Sequence, residues 1–125
     1  MVEYFHSKGA KVVFGDLNDT HGKAIAEKLG EYVYFLLREL TIRGATYTHC
    51  DVTKWDDLLD MHELAIKTYG TIDVVVPNAG VNEVEDIFED KFDANGRLLP
   101  PKHILNEINL KGVFNSTPSH LKHRR

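Results

Sequence analysis

The chain has 125 residues, 15 basic against 19 acidic side chains for a formal net charge of -4, and 42% hydrophobic content. That length gives room for one modest core, the hydrophobic content with 27% charged residues places the chain among globular rather than disordered proteins, and the dispersed charge gives no overall draw toward nucleic acid or anionic lipid. A single cysteine, Cys50, excludes an internal disulfide framework and a zinc site built from several cysteines, and it fits a reducing compartment.

Val2 to Lys8 reads as the last turns of a helix that opens into Gly9. A strand follows from Lys11 to Phe14 and ends in Gly15-Asp16. Thr20 is placed to cap a helix through Leu29, with Ile25 and Leu29 one turn apart on its apolar face and Gly30 as its stop. The stretch 31–43 is more apolar than a connection of this kind and longer than most. Leu29, Val33, Leu36, Leu37 and Leu40 keep a helical stripe there, so the segment can extend the preceding helix.

A second strand runs from Ala45 to Cys50, and Thr53 caps a helix over Trp55 to Tyr69 in which Leu58, Met61, Leu64, Ala65 and Tyr69 form the apolar stripe. Gly70 ends that helix. The third strand, Ile72 to Val76, carries Val74-Val75-Val76, the composition of a parallel strand buried on both faces. Beyond Pro100-Pro101 the spacing predicts a helix over 102–115 with Ile104, Leu105 and Ile108 facing inward, and Pro118 opens a basic tail at 118–125 that reads as a solvated terminus. Strands alternating with amphipathic helices make the fold class α/β, a doubly wound parallel sheet. The longest apolar run, Tyr32 to Leu37, is too short to span a bilayer, and the first residues lack a signal peptide's basic start and apolar run. A cytoplasmic protein with no nucleic-acid or membrane partner is therefore expected.

The residues that carry chemistry sit at the C-terminal ends of the strands, where open parallel sheets bind ligands. An acid at the end of the first strand, Asp16, can accept hydrogen bonds from both adenosine ribose hydroxyls and repels a 2′-phosphate, which favours NAD over NADP. Asp51, directly after the second strand, can accept from an adenine amino group while the Val52 backbone completes the contact with the base. Asn78-Ala79-Gly80 closes the third strand with small residues that let backbone approach a cofactor closely.

In this order Gly15-Asp16, Cys50-Asp51-Val52-Thr53, Asp73 to Gly80 and Asn109-Leu110-Lys111-Gly112-Val113-Phe114 resemble successive motifs of the short-chain dehydrogenase/reductase family. The resemblance covers most of residues 8–116 apart from 31–43. It implies a Rossmann fold, a nicotinamide cofactor, and a cofactor-binding set of Asp16 and Leu17 at the ribose, Asp51 and Val52 at the adenine, and Asn78, Ala79 and Gly80 along the cofactor. It implies that Asn109 is the helix asparagine of the family's catalytic tetrad. Within the family, the loop from Glu83 to Lys102 resembles that of enzymes similar to 15-hydroxyprostaglandin dehydrogenase.

Departures from the family pattern are also plain. Pro77 stands where the family has another asparagine. The family's first strand and Gly-rich phosphate turn have no counterpart ahead of Lys11, and its serine, tyrosine and lysine have none after Asn109. In the family order 3-2-1-4-5-6 the first strand lies between strands 2 and 4, so Ile72 to Val76 must either pair directly with the Lys11 strand or leave a gap. The expectation is a single incomplete NAD-binding Rossmann domain over 1–125, inactive by itself. It reads as a piece of an NAD-dependent enzyme acting on a secondary alcohol or ketone, or as the product of a gene model with a foreign segment at 31–43. The other readings are a non-catalytic adenosine-nucleotide or interaction module, and a flavodoxin-like or receiver-like domain. Self-association through exposed apolar surface is expected in each case.

Three patterns invite other chemistry. Tyr4 and Lys8 have Tyr-x-x-x-Lys spacing but precede the ribose-binding strand, which makes an ordinary surface turn the better reading. Lys91 to Gly96 looks like the start of a calcium loop, yet begins with lysine and has Lys102 at its twelfth position. The seven histidines show no metal-ligand grouping, so no metal is expected. Cys50, beside Asp51, reads as a buried structural thiol.

Overall fold

A computed structural model of the chain describes residues 1–30, 32–33, 42–82 and 89–117. Helix α1 (Val2–Ser7) leads into Gly9, whose φ of +85° suits glycine. Strand β1 (Val12–Asp16) and helix α2 (Asp19–Leu29) follow. Short strands β2 (Tyr32–Val33) and β3 (Ile42–Arg43) pair antiparallel, Val33 opposite Ile42. Strand β4 (Ala45–His49) and helix α3 (Trp55–Tyr69) come next. A π-helical stretch, Asn106–Gly112, continues into a short helix α4 (Val113–Asn115).

β1 and β4 pair in parallel, with Val12 opposite Ala45 and Asp16 opposite His49, so both strands end at one rim. Side chains alternate across the two strands, and each face receives one helix. On one face Phe14 and Tyr47 lie with ring centroids 5.5 Å apart, and Gly22 of α2 is buried against the Tyr47 ring. On the other face a Cβ placed on Gly15 would stand 3.0 Å from the Met61 sulfur of α3. Tyr69, at the far end of α3, donates its hydroxyl to the Gly44 carbonyl at 3.2 Å. Ala45, Cys50 and Leu58 are the buried hydrophobic residues among those described, and Leu58 is only 1% exposed. His62, also buried, donates Nδ1–H to the Leu58 carbonyl at 2.6 Å, which lets a polar ring sit in this core.

Several sequence expectations need correction. Thr20 does not cap α2. Asn18 does, accepting the His21 N–H at 3.0 Å, because Asp19 already has helical geometry. Thr53 does not cap α3 either: Lys54 is the N-cap residue and makes no side-chain cap bond, while the Thr53 hydroxyl is committed to Asp51. The segment after Gly30 does not extend α2. Gly30 takes a φ of +64° and ends it, and Val33 and Ile42 are register partners in an antiparallel strand pair. Leu36, Leu37 and Leu40 lie outside the described residues, as does the tail at 118–125.

The third expected strand does not form. Ile72 to Val76 joins no sheet among the described residues, and Val74 and Val76 are 72% and 46% exposed instead of buried on both faces. A strand needs a neighbour to satisfy its backbone groups, and the only sheet partner of β1 among the described residues is β4. Direct pairing is therefore not adopted, and among the described residues the second edge of β1 carries no strand. The predicted helix over 102–115 is largely π-helical. Leu105 and Ile108 are half-buried as expected, whereas Ile104 is 45% exposed. Within the wider i→i+5 turns Gly112 is the buried residue.

Candidate cofactor site

Asp16 ends β1 with its side chain exposed at the sheet rim, where the next residue, Leu17, is 60% exposed. One carboxylate oxygen, Oδ1, accepts the Asn18 N–H at 2.8 Å, a local bond that fixes the side chain, while Oδ2 accepts no hydrogen bond among the described residues. The backbone of Asp16 is held by β4: the Cys50 N–H donates to its carbonyl at 3.2 Å, and the Tyr47 hydroxyl lies 2.9 Å from the same oxygen. That hydroxyl is also 2.6 Å from Asp19 Oδ1, which meets His49 Nδ1 at 2.8 Å. Bonds from Tyr47 and His49 hold the Asp19 carboxyl below the ordinary carboxylate value. Partial burial together with the Asp19 charge pushes the Tyr47 phenol up to about 12. This network was missed in the sequence. Its signal was the alternation of Tyr47 and His49 on one strand face, opposite an acid in the first turn of α2.

Asp51 follows β4 and is partly buried. Its Oδ1 accepts two bonds from Thr53, the hydroxyl at 2.7 Å and the backbone N–H at 3.0 Å, and these hold the carboxyl below its ordinary value of 3.8. Its Oδ2 accepts no hydrogen bond among the described residues and meets only the Lys54 ammonium, at 3.9 Å. The linkage sign follows from the lowered value. Any stability these bonds contribute is fully present above pH 4 and is lost as pH falls through the depressed folded value. Thr53→Ala is therefore expected to shift the acid midpoint of unfolding upward by a few tenths of a pH unit. A midpoint that does not move in an acid titration followed by circular dichroism would sink this.

Asn78, Ala79 and Gly80 are exposed and irregular, and they are tied down from one residue further on. Asn109 Oδ1 accepts the Val81 N–H and Asn109 Nδ2 donates to the Val81 carbonyl, both at 2.8 Å, so one side chain replaces a strand neighbour for this backbone. Gly80 packs beneath it: an added Cβ would stand 3.4 Å from Asn109 Oδ1. Asn109 sits within the π-helical stretch, a distortion common near functional positions. Asn109→Ala leaves both Val81 groups without this partner. It is expected to speed amide exchange at Val81 at least tenfold, measured by hydrogen–deuterium exchange, with unchanged exchange as the contrary result.

The same π-helical stretch closes on the Asp51 loop, because a Cβ on Gly112 would stand 2.9 Å from Val52 Cγ2. Contacts therefore run from Asp16 through Cys50 to Asp51 and Val52, on to Gly112 and Asn109, and from there to Gly80 and Val81. These contacts join Asp16, Asp51, Val52, Gly80 and Asn109 of the expected set, whereas Leu17, Asn78 and Ala79 lie exposed beside them in the chain. Cys50 is buried beneath this path. Burial first, then the Asp57 and Asp51 charges, pushes its thiol up to about 11 from 9.0. At pH 8 the folded chain is expected to react with iodoacetamide roughly a hundredfold more slowly than the urea-unfolded chain. Equal rates would show the thiol to be open.

The patterns that invited other chemistry have plain structural explanations. The Lys8 ammonium lies 5.6 Å from the Tyr4 ring centroid on the surface of α1, and Tyr4 is 62% exposed. In the Lys91 to Gly96 loop, Asp93 accepts from the N–H groups of Asn95 and Arg97, closing a tight turn with Gly96 at φ +76° and Phe92 bridged to Leu98. Among the described residues no group of three or more His, Cys, Asp or Glu is placed to share a metal ion.

The short chain dehydrogenase family model matches residues 1–124. The chain belongs to the short-chain dehydrogenase/reductase family. Tropinone reductase-like 1 of Erythroxylum coca is 36% identical over 117 residues, a match covering 90% of this chain and 36% of that one. (+)-Borneol dehydrogenase 1 of Salvia officinalis is 33% identical over 115 residues, covering 90% and 37%. A solved short-chain dehydrogenase/reductase from Brucella melitensis, a glucose/ribitol dehydrogenase by its description, superposes with a TM-score of 0.68 at 31% identity, covering 91% of this chain and 41% of its own. The chain spans about a third of the length of the curated relatives it matches. Its parallel β1–β4 pair with flanking helices is thus part of a short-chain dehydrogenase Rossmann sheet. The family binds NAD(P), and the flavodoxin-like and receiver-like alternatives give way to it.

Proposed function

We propose that this chain carries the adenosine-binding half of an NAD-dependent short-chain dehydrogenase/reductase whose substrate is a secondary alcohol or ketone. The observation that carries the reading is the unbroken set of contacts joining Asp16, Asp51 and Gly80 around one rim of the sheet. Asp16 Oδ2 is left for the ribose hydroxyls, and Asp51 Oδ2 for the adenine amino group. The exposed Asn78 to Gly80 backbone lies along the cofactor. These groups fit the adenosine end of the cofactor. The nicotinamide end would supply hydride transfer, and there these 125 residues offer Asn109 without a tyrosine and lysine pair in family register. The residues ahead of β1 form α1, which provides no Gly-rich turn for the pyrophosphate.

The whole of 1–125 acts as one domain of this kind, binding nucleotide weakly and turning over no alcohol by itself. Its compartment is proposed as the cytoplasm: Cys50 is a buried free thiol, and no helix among the described residues is long and apolar enough to cross a membrane. The edge of β1 that no strand covers among the described residues, and the exposed Val74 and Val76, favour self-association at high concentration. A non-catalytic adenosine-nucleotide module shares the same geometry and differs only in having no enzymatic whole. Titration of the purified chain with AMP, NAD and FMN, followed by calorimetry, tests the reading. AMP and NAD are expected to bind comparably and FMN not at all. FMN binding without AMP binding would overturn the adenosine site, and oxidation of any secondary alcohol with NAD would overturn the chain's inactivity.

A further inference from the structure

We infer that Asp57, in the first turn of α3, is a positioning residue that sets the chain's preference for adenine over other bases by holding the backbone of Asp51. The inference rests on the proposed adenosine site and deepens it. Asp57 Oδ2 accepts the Asp51 N–H at 2.9 Å, reaching back across the turn that precedes α3. Thr53 takes Asp51 Oδ1 from the other side with two bonds, and the Lys54 N–H donates to the Asp51 carbonyl at 2.9 Å. Asp51 is thus fixed through its amide, its carbonyl and one carboxylate oxygen, which leaves Oδ2 in one direction.

The Asp57 bond is the only one of these that comes from a regular element. The Thr53 and Lys54 bonds are local to the loop and move with it, whereas Asp57 anchors the loop to a 15-residue helix. That helix is itself packed on the sheet, where Met61 approaches Gly15, and Leu58, the residue after Asp57, is buried. A carboxylate in the first turn also suits the positive end of the helix. The arrangement has an electrostatic cost, since two carboxylates are brought to one turn. A contact that only balanced charge would not be built from a second acid here.

The test compares AMP with IMP, which lacks the amino group that Asp51 Oδ2 would accept from. The wild-type chain is expected to bind AMP about tenfold more tightly than IMP. Asp57→Ala is expected to reduce that ratio to about one while the affinity for ribose 5-phosphate stays the same. Asp57→Asn, whose side-chain oxygen can still accept the Asp51 N–H, is expected to keep it. A purely electrostatic role would instead make both variants behave alike. Exchange of the Asp51 amide proton, read by NMR without ligand, is expected to rise at least tenfold in Asp57→Ala and to stay slow in Asp57→Asn. A wild-type AMP preference that survives in Asp57→Ala, or that is lost equally in Asp57→Asn, overturns the inference while leaving the adenosine site standing. A wild-type chain that binds no AMP overturns the site and this inference together.

Discussion

Gly15→Ala is expected to lower the stability of the folded chain by about 2–3 kcal/mol. Glycine in a strand normally weakens it, and alanine would restrict the unfolded chain, a gain of about 0.4–1 kcal/mol. Sterics reverse the sign. A Cβ on Gly15 would sit 2.5 Å from Cys50 Cβ and 3.0 Å from Met61 Sδ. The Met61 thioether can swing away, but Cys50 Cβ is attached directly to the backbone that donates to the Asp16 carbonyl. Relief therefore requires β1 and the end of β4 to separate at the point where the candidate site is joined. Urea unfolding followed by far-UV circular dichroism checks this, and a midpoint equal to or above that of the wild type would contradict it.

The second large effect concerns the choice between cofactors. Asp16→Ala is expected to weaken AMP binding by roughly ten- to a hundredfold, the loss of one or two hydrogen bonds to a charged acceptor. The same change is expected to improve binding of adenosine 2′,5′-bisphosphate, since a like charge facing the 2′-phosphate is removed. The wild type should therefore favour AMP and the variant should favour neither ligand strongly. Calorimetric titration of both proteins with both ligands reads this inversion directly. If the wild type bound the bisphosphate as tightly as AMP, Asp16 would not face the ribose and the preference for NAD would fail.

The sequence made the site more legible than the sheet. Asp16 and Asp51 are readable because an acid at the end of an apolar strand is a local signal, and both lie at the shared rim of β1 and β4. The bounds of α3 are readable for the same reason, from a five-residue apolar stripe ended by Gly70. Ile72 to Val76 is not, because whether an apolar run becomes a strand depends on a neighbour that is not local in sequence. Its valines state a preference for burial that these residues alone do not satisfy. Caps failed at Thr20 and Thr53 because each had a competing polar neighbour, Asn18 in one case and Asp51 in the other. The π-helical turn that carries Asn109 leaves no mark in a helical repeat, and Ile104, one of three apolar residues the repeat turns inward, is exposed at the first turn.

The central claim is that residues from separate segments form one adenosine site. Amide chemical-shift mapping by NMR during titration with AMP tests it most directly. The account predicts that the perturbed amides cluster at Asp16 to Asn18, Asp51 to Thr53 and Asn78 to Val81, and that all three groups titrate with one dissociation constant. Shifts confined to other surfaces, or three groups that titrate independently, would contradict it.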